Sequence, residues 1–226
     1  WGASGAWWSQ EVGEWENAKD VLRLLYSKDG GIGLNIFRYN LGAGSRNADS
    51  AYNDTSTGNE GTRTNCFLQS DGTYDWDADP GAMNSLYWAN KFCPNVKVEL
   101  FSNSAPVYYT KNNKAYGSSD SCNLSSDNYT NFANFVVTCT EHFIDEGYNV
   151  TEVSPINEPE WGWNGNGQEG CHFDPTEARD FYNNAMIPAL QASSKCQRSG
   201  WDKVELAVWE CAQLNHGWWY NGFLNN

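Results

Sequence analysis

Asn157 and Glu158 are the adjacent side chains best suited to chemistry: an amide that both donates and accepts, beside a carboxyl that can give up or take a proton. They sit in Pro155-Ile156-Asn157-Glu158-Pro159, directly after Val150-Thr151-Glu152-Val153-Ser154, which alternates as a strand does. The flanking prolines end that strand, so the amide and the carboxyl point past the edge of a sheet. In a parallel α/β barrel this is the face that carries the reactive groups. A strand-ending turn with a solvated glutamate is the plain alternative. The residues that follow, Glu160 to Phe173, hold Trp161 and Trp163 among glycines, Asn164, Asn166 and Gln168. Flat apolar rings beside amides suit a sugar ring and its hydroxyls better than they suit a core or a linker.

Composition points the same way. Trp occurs 12 times, aromatic residues make up 15 % of the 226, and Asp and Glu outnumber Lys and Arg by 28 to 14, for a net charge of −14. That charge argues against nucleic acid or an anionic membrane surface as partner. No apolar run reaches the length of a membrane span. Seven cysteines without a Cys-x-x-Cys pair favour disulfides in an oxidising compartment over a zinc site, and the odd number leaves at least one unpaired within the chain. Acceptor tripeptides at Asn53, Asn123, Asn128 and Asn149 permit N-glycosylation in a eukaryotic host. His142, His172 and His216 are too few and too scattered to suggest a metal, and His142 reads as a helix-surface residue. No cofactor is expected.

The elements that must position Asn157 and Glu158 alternate between strand and helix. Trp1 to Trp8 reads as a short strand ending in aromatics. Trp15, Ala18, Leu22 and Leu25 recur at helical spacing until Gly30-Gly31, and a second strand runs from Leu34 to Tyr39. Ala82, Leu86, Ala89 and Cys93 mark a second helix, Val96 to Phe101 a third strand, and Phe132, Phe135, Val136, Cys139 and Phe143 a third helix. The fourth strand runs into Glu158. Asp174-Pro175-Thr176-Glu177 starts a fourth helix, with its cap, its first-turn proline and its acid in place. A fifth strand, Val204 to Trp209, leads to a loop holding Gln213, Asn215 and His216.

Helix-to-strand links are short and strand-to-helix links are long, so the loops gather at the carboxyl ends of the strands, as in barrel enzymes. A nucleotide-binding sheet would place Gly-x-Gly-x-x-Gly after its first strand, whereas Gly31-Ile32-Gly33 precedes a strand. A (β/α)8 TIM barrel needs about 250 residues and eight strands. The expected fold is therefore α/β and an incomplete barrel, with about five of the eight strand-helix units spanning residues 1–226; a complete open five-stranded domain is the alternative.

Taken together, these segments resemble the amino-terminal part of a glycoside hydrolase family 30 catalytic domain, closest to its endo-β-1,6-galactanase-like branch. Gly2-Ala3-Ser4-Gly5-Ala6-Trp7-Trp8 is similar to that group's first strand, and Gly31 to Asn40 to its arginine-bearing second strand. Ser102-Asn103-Ser104-Ala105-Pro106 is similar to the exit of its third strand. Ile156-Asn157-Glu158-Pro159 with Gln168-Glu169-Gly170-Cys171 is similar to its fourth. Val107-Tyr108-Tyr109 departs from the family's tryptophan or methionine, which leaves the sugar of the innermost subsite open.

The resemblance implies retaining hydrolysis of a β-glycosidic bond by two carboxyls about 5 Å apart. Glu158 would be the general acid and then the general base, and the nucleophile would stand on a seventh strand outside these residues. Asn157 would bind the sugar 2-hydroxyl, and Arg38 would hold a catalytic carboxylate charged and oriented, its alternative being a structural ion pair. Trp8 and Trp161 are candidate stacking platforms, each with packing as its alternative, and Asn103 could meet a hydroxyl or cap its own loop. Glu210 is expected to line the site, and Glu169 to fix its loop. The implied partner is a polysaccharide or oligosaccharide, β-1,6-galactan-like, met outside the cell by a protein that is monomeric when complete. A β-1,6-glucanase or glucosylceramidase-like activity, a non-catalytic carbohydrate-binding protein and a structural wall protein are the competing expectations.

Overall fold

In a computed structural model, residues 1–48, 51–52, 60–117, 121–164, 167–198 and 203–225 are described. The strands β1 (Gly2–Ser4), β2 (Ile36–Asn40), β3 (Lys97–Phe101), β4 (Asn149–Ser154) and β5 (Glu205–Leu206) lie in chain order in one sheet. Every neighbouring pair is parallel. Between them run helices α1 (Trp8–Val12), α2 (Ala18–Tyr26), α3 (Pro80–Phe92), α4 (Tyr129–Asp145), α5 (Pro175–Phe181) and α6 (Ile187–Ala192), with α7 (Gly217–Leu224) after β5. The α/β alternation and the parallel sheet are as expected.

Period-two patterning divides the sheet into two faces. Phe37 and Tyr39, Val98 and Leu100, and Val150 and Val153 are almost wholly buried in one apolar cluster. Leu22, Leu86, Phe132, Phe135, Val136, Cys139 and Phe143 from the helices share that cluster. The intervening positions are polar or charged, and the register sets Arg38 beside Glu99 and Glu99 beside Glu152. A bulge between Val98 and Glu99 takes up Thr151 and restores that alignment. A hollow of about 580 Å³ opens between Ile36, Lys97, Asn149 and Lys203 at the amino ends of the strands, the end away from Glu158.

Several boundaries differ from expectation. The first strand is only three residues long. The aromatic run after it turns through Trp7, at a φ of 69°, into α1, which periodicity in so short a segment could not reveal. Trp15 lies before α2 and is largely exposed. That helix stops at Tyr26, ahead of Gly30-Gly31, and the Ile32 and Leu34 N–H groups fold back onto the Leu24 and Leu25 carbonyls at 2.8 and 2.9 Å. Gly31 is required there because a Cβ would meet the Leu24 and Ser27 carbonyl oxygens at 2.6 Å. In the fourth helical stretch Pro188 has no N–H to donate, and the turn before it, Tyr182–Met186, widens to a π-helix. Strand β5 is two residues long, although pairing resumes at an isolated Asn157–Glu210 bridge.

His142 is not a free surface residue, because its ring stacks on Trp76 with centroids 3.8 Å apart. Asn123 is a poor glycan acceptor: its amide is buried and donates to Asn112, Lys114 and Tyr116 at 2.8–3.1 Å. Asn128 donates to the Tyr109 carbonyl at 3.1 Å, and Asn149 makes a weaker, exposed contact with the Asn95 carbonyl at 3.4 Å. Asn53 lies outside the described residues. All seven cysteines are thiols in the structure. Among the described residues no helix is long and apolar enough to cross a membrane.

Candidate active site

Glu158 follows β4 in a turn fixed from several directions. Pro155 and Pro159 restrict the backbone on both sides and withhold two donors. The Glu158 N–H donates to the Glu210 carbonyl at 2.6 Å, and the Glu210 N–H donates to the Ile156 carbonyl at 3.3 Å. The Glu158 carbonyl accepts the Trp161 N–H at 3.2 Å and the Trp163 indole N–H at 2.9 Å. Held this way, Glu158 has a φ of 48°. The left-handed region costs a residue with a Cβ about 1–3 kcal/mol and persists only where the surroundings over-determine it.

The Glu158 carboxyl is half-buried, and among the described residues nothing donates a hydrogen bond to it. Burial pushes its pKa above the ordinary glutamate value. The Glu160 charge adds to the rise, Arg38 opposes it, and Glu210 adds a smaller amount. A carboxyl kept protonated to higher pH, with no internal partner, is suited to donating its proton outward.

Beside it a polar network crosses four strand ends. Arg38 donates from Nε to Glu99 Oε1 at 2.7 Å and from Nη2 to Asn157 Oδ1 at 3.0 Å, and it pairs with Glu210 Oε2. Its guanidinium carbon lies 3.3 Å from the centre of the Phe101 ring, so the cation is stacked as well as paired. Ser154 Oγ donates to Glu210 Oε2 at 3.0 Å. Asn157 Nδ2 donates to Asn103 Oδ1 at 3.0 Å, and Asn103 Nδ2 reaches Asn40 Oδ1 at 3.4 Å. Register explains the assembly: Arg38, Glu99 and Glu152 occupy aligned, same-face positions on β2, β3 and β4. Among the described residues no cluster of three His, Cys, Asp or Glu side chains is disposed to hold a metal ion.

Residues 1–215 match the model of O-glycosyl hydrolase family 30. The chain belongs to that family. It is 33 % identical over 236 residues to an endo-β-1,6-galactanase of Hypocrea rufa, covering 92 % of this chain and 47 % of the relative. It is 27 % identical over 220 residues to an exo-β-1,6-galactobiohydrolase of Bifidobacterium longum subsp. longum, covering 72 % of this chain and 14 % of that protein. Among solved structures, a conserved exported protein from Bacteroides fragilis superposes with a TM-score of 0.77 at 30 % identity, over 92 % of this chain and 42 % of that one. The chain therefore spans less than half the length of these relatives.

Within this family 30 chain, the structure brings Arg38, Asn103, Asn157 and Glu210 into one network and sets Glu158 at its edge. Trp8 and Trp161 stand outside it. The Trp8 indole N–H donates to the Ser4 carbonyl at 2.5 Å, and its ring lies 6.3 Å from Phe37. Trp161 is 43 % exposed and meets His216 edge-on at 6.1 Å, so its face is the more available. Glu169 does fix its loop: wholly buried, it accepts the Ala43 N–H at 2.9 Å, the Ser45 N–H at 3.1 Å and the Ser45 hydroxyl at 2.6 Å.

Three residues, Glu99, Ser154 and Glu160, enter the site that sequence reasoning missed. Glu99 and Ser154 pair with Arg38 and Glu210. Trp163, read from the sequence with Trp161 as a ring for a sugar, is instead buried and carries the Glu158 carbonyl. Glu160 Oε1 accepts the Ala212 N–H at 2.6 Å and faces His216 Nδ1 at 3.0 Å, tying the segment after β5 to the Glu158 turn. Glu99 had a signal, an acid at the polar position of the strand next to the arginine. The others depend on contacts between segments far apart in sequence.

Proposed function

We propose that this chain forms the acid/base half of a retaining β-glycosidase, with Glu158 protonating the departing glycosidic oxygen. The observation that carries the reading is the Glu158 carboxyl itself, fixed in its turn beyond β4, raised in pKa and, among the described residues, accepting no hydrogen bond. In the first step Glu158 delivers its proton to the leaving oxygen while a carboxylate nucleophile about 5 Å away takes the anomeric carbon. In the second step the Glu158 carboxylate takes a proton from the attacking water. Asn157, oriented by Arg38 on one side and Asn103 on the other, supports the sugar 2-hydroxyl through a contact that strengthens as positive charge develops. Arg38 holds Glu210 in place, and Trp161 and Trp8 offer apolar surface to a sugar face.

The five strand-helix units are read as the first part of an eight-stranded barrel whose further strands supply the nucleophile. The outer strands β1 and β5, each paired on one side among the described residues, and the relatives' greater length support this. The substrate is taken to be a β-1,6-linked galactan, because the two curated relatives are named for β-1,6-galactan cleavage and their similarity extends over most of this chain. Export fits the named character of the Bacteroides relative. The test is to incubate the full-length protein with β-1,6-galactan and follow new reducing ends by NMR. Release of sugars that first appear as the β-anomer supports the reading; release as the α-anomer, or intact polymer, contradicts it.

A further inference from the structure

The stretch after β3 (102–128) and the stretch after β4 (155–174) meet beside the site. The Gly170 N–H donates to the Ala115 carbonyl at 2.9 Å, and Tyr116 and Gly170 form an isolated parallel bridge. The next residue is Cys171. Its thiol is in hydrogen-bonding contact with the Cys122 thiol and lies against the backbone N–H groups of Asn123 and Leu124. Cys122 Sγ is 3.5 Å from the Leu124 carbonyl oxygen, and Cys171 Sγ is 3.6 Å from that of His172. Only 1 % of Cys122 and 3 % of Cys171 are exposed. Cys66, by contrast, acts on Cys139 only through charge. We propose that Cys122 and Cys171 close into a disulfide that ties together the two loops framing Glu158.

The chemistry is thiol–disulfide exchange with an external disulfide such as oxidised glutathione, completed while the loops are still open to solvent. The Cys171 thiolate attacks one sulfur of the oxidant, whose sulfur–sulfur bond breaks and whose other half leaves as a thiol. The Cys122 thiolate then attacks the Cys171 sulfur of the mixed disulfide, the intramolecular bond forms, and the second half of the oxidant leaves. The oxidant gains two electrons, and the two cysteine protons end on the released thiols. Once the loops pack, burial shields the bond from reductant. A link between residues 122 and 171 closes a long loop and so removes much freedom from the unfolded chain.

The test is peptide mapping of the full-length protein after equilibration in a glutathione redox buffer, unfolding in iodoacetamide and chymotryptic digestion. Chymotrypsin is needed because no Lys or Arg lies between Lys114 and Arg179, which would leave Cys122, Cys139 and Cys171 in one tryptic peptide. The expected result is a Cys122 peptide joined to a Cys171 peptide, with neither alkylated. Full alkylation of both cysteines, or a bond from either to a different cysteine, would overturn the proposal. Reduction should also lower the melting temperature by on the order of 10 °C, and this sensitivity should be lost in Cys122→Ala/Cys171→Ala. Unchanged sensitivity in that variant would count against the link. Neither readout depends on glycosidase activity.

Discussion

Glu158 and Glu160 are two residues apart and differently employed. Glu160 is engaged through Oε1 by Ala212 and His216 while its Oε2 is buried without a partner among the described residues, whereas the half-buried Glu158 carboxyl accepts no hydrogen bond among them. After burial, the charge on Glu160 is the largest influence raising the Glu158 pKa. Glu160→Gln keeps an oxygen for Ala212 and removes the charge, so the Glu158 pKa should fall. An acid catalyst is active while protonated, and its activity is lost as pH rises through its pKa. The alkaline limb of kcat/KM for the full-length enzyme should therefore move to lower pH in Glu160→Gln, with the acid limb little changed. A pH profile checks this, and an alkaline limb that stays in place would separate Glu160 from the titration of Glu158. At this scale Asn157 and Glu158 were legible because both lie in one short segment after a patterned strand. Glu160 was not, since its partner lies 52 residues further on.

The turn that carries Glu158 rests on a loop of its own element. The Trp163 indole holds the Glu158 carbonyl, and a Cβ on Gly170 would lie 2.0 Å from the Trp163 ring. Gly170→Ala should therefore push Trp163 aside, with a stability loss of about 1–3 kcal/mol and a fall in kcat; denaturant melts and steady-state rates measure the two. Helix α3 gives a separate prediction. Asp79 precedes it, buried, with Tyr39 Oη donating to Oδ2 at 2.6 Å and with Oδ1 unpartnered. Burial raises the Asp79 pKa to about 6 from 3.8. The folded state thus binds this proton more tightly than the unfolded chain does. The associated stability is complete below about pH 4 and is lost as pH rises through about 6. Asp79→Asn should be more stable than the parent at pH 7, by up to about 3 kcal/mol, and the difference should vanish near pH 4. Urea titrations at the two pH values decide it. The buried stripes of α3 and α4 were readable from spacing alone, because helix burial follows a period of 3.6. Helix α1 and the π turn were not, since one is too short for a period and the other arises from the backbone around Pro188.

For the whole molecule, the alternation of strand and helix and the long loops at the carboxyl strand ends predicted a parallel sheet, and strands β1 to β5 lie in that order. The fifth strand was overestimated. Val204 to Trp209 has strand-like composition, but only Glu205 and Leu206 form a ladder, and Val208 is 37 % exposed. Long-range pairing, which local sequence does not record, decides such an edge. The central claim is that the half-buried Glu158 carboxyl is a proton donor to a leaving sugar oxygen. The most direct test is leaving-group dependence in the full-length protein carrying Glu158→Gln. Hydrolysis of β-1,6-galactan, whose leaving alcohol needs a proton, should fall by about 10²–10⁴-fold, while dinitrophenyl β-galactoside, whose leaving group does not, should be cleaved to its covalent intermediate at nearly the parental rate. Equal losses on both substrates, or no loss on galactan, would contradict the account.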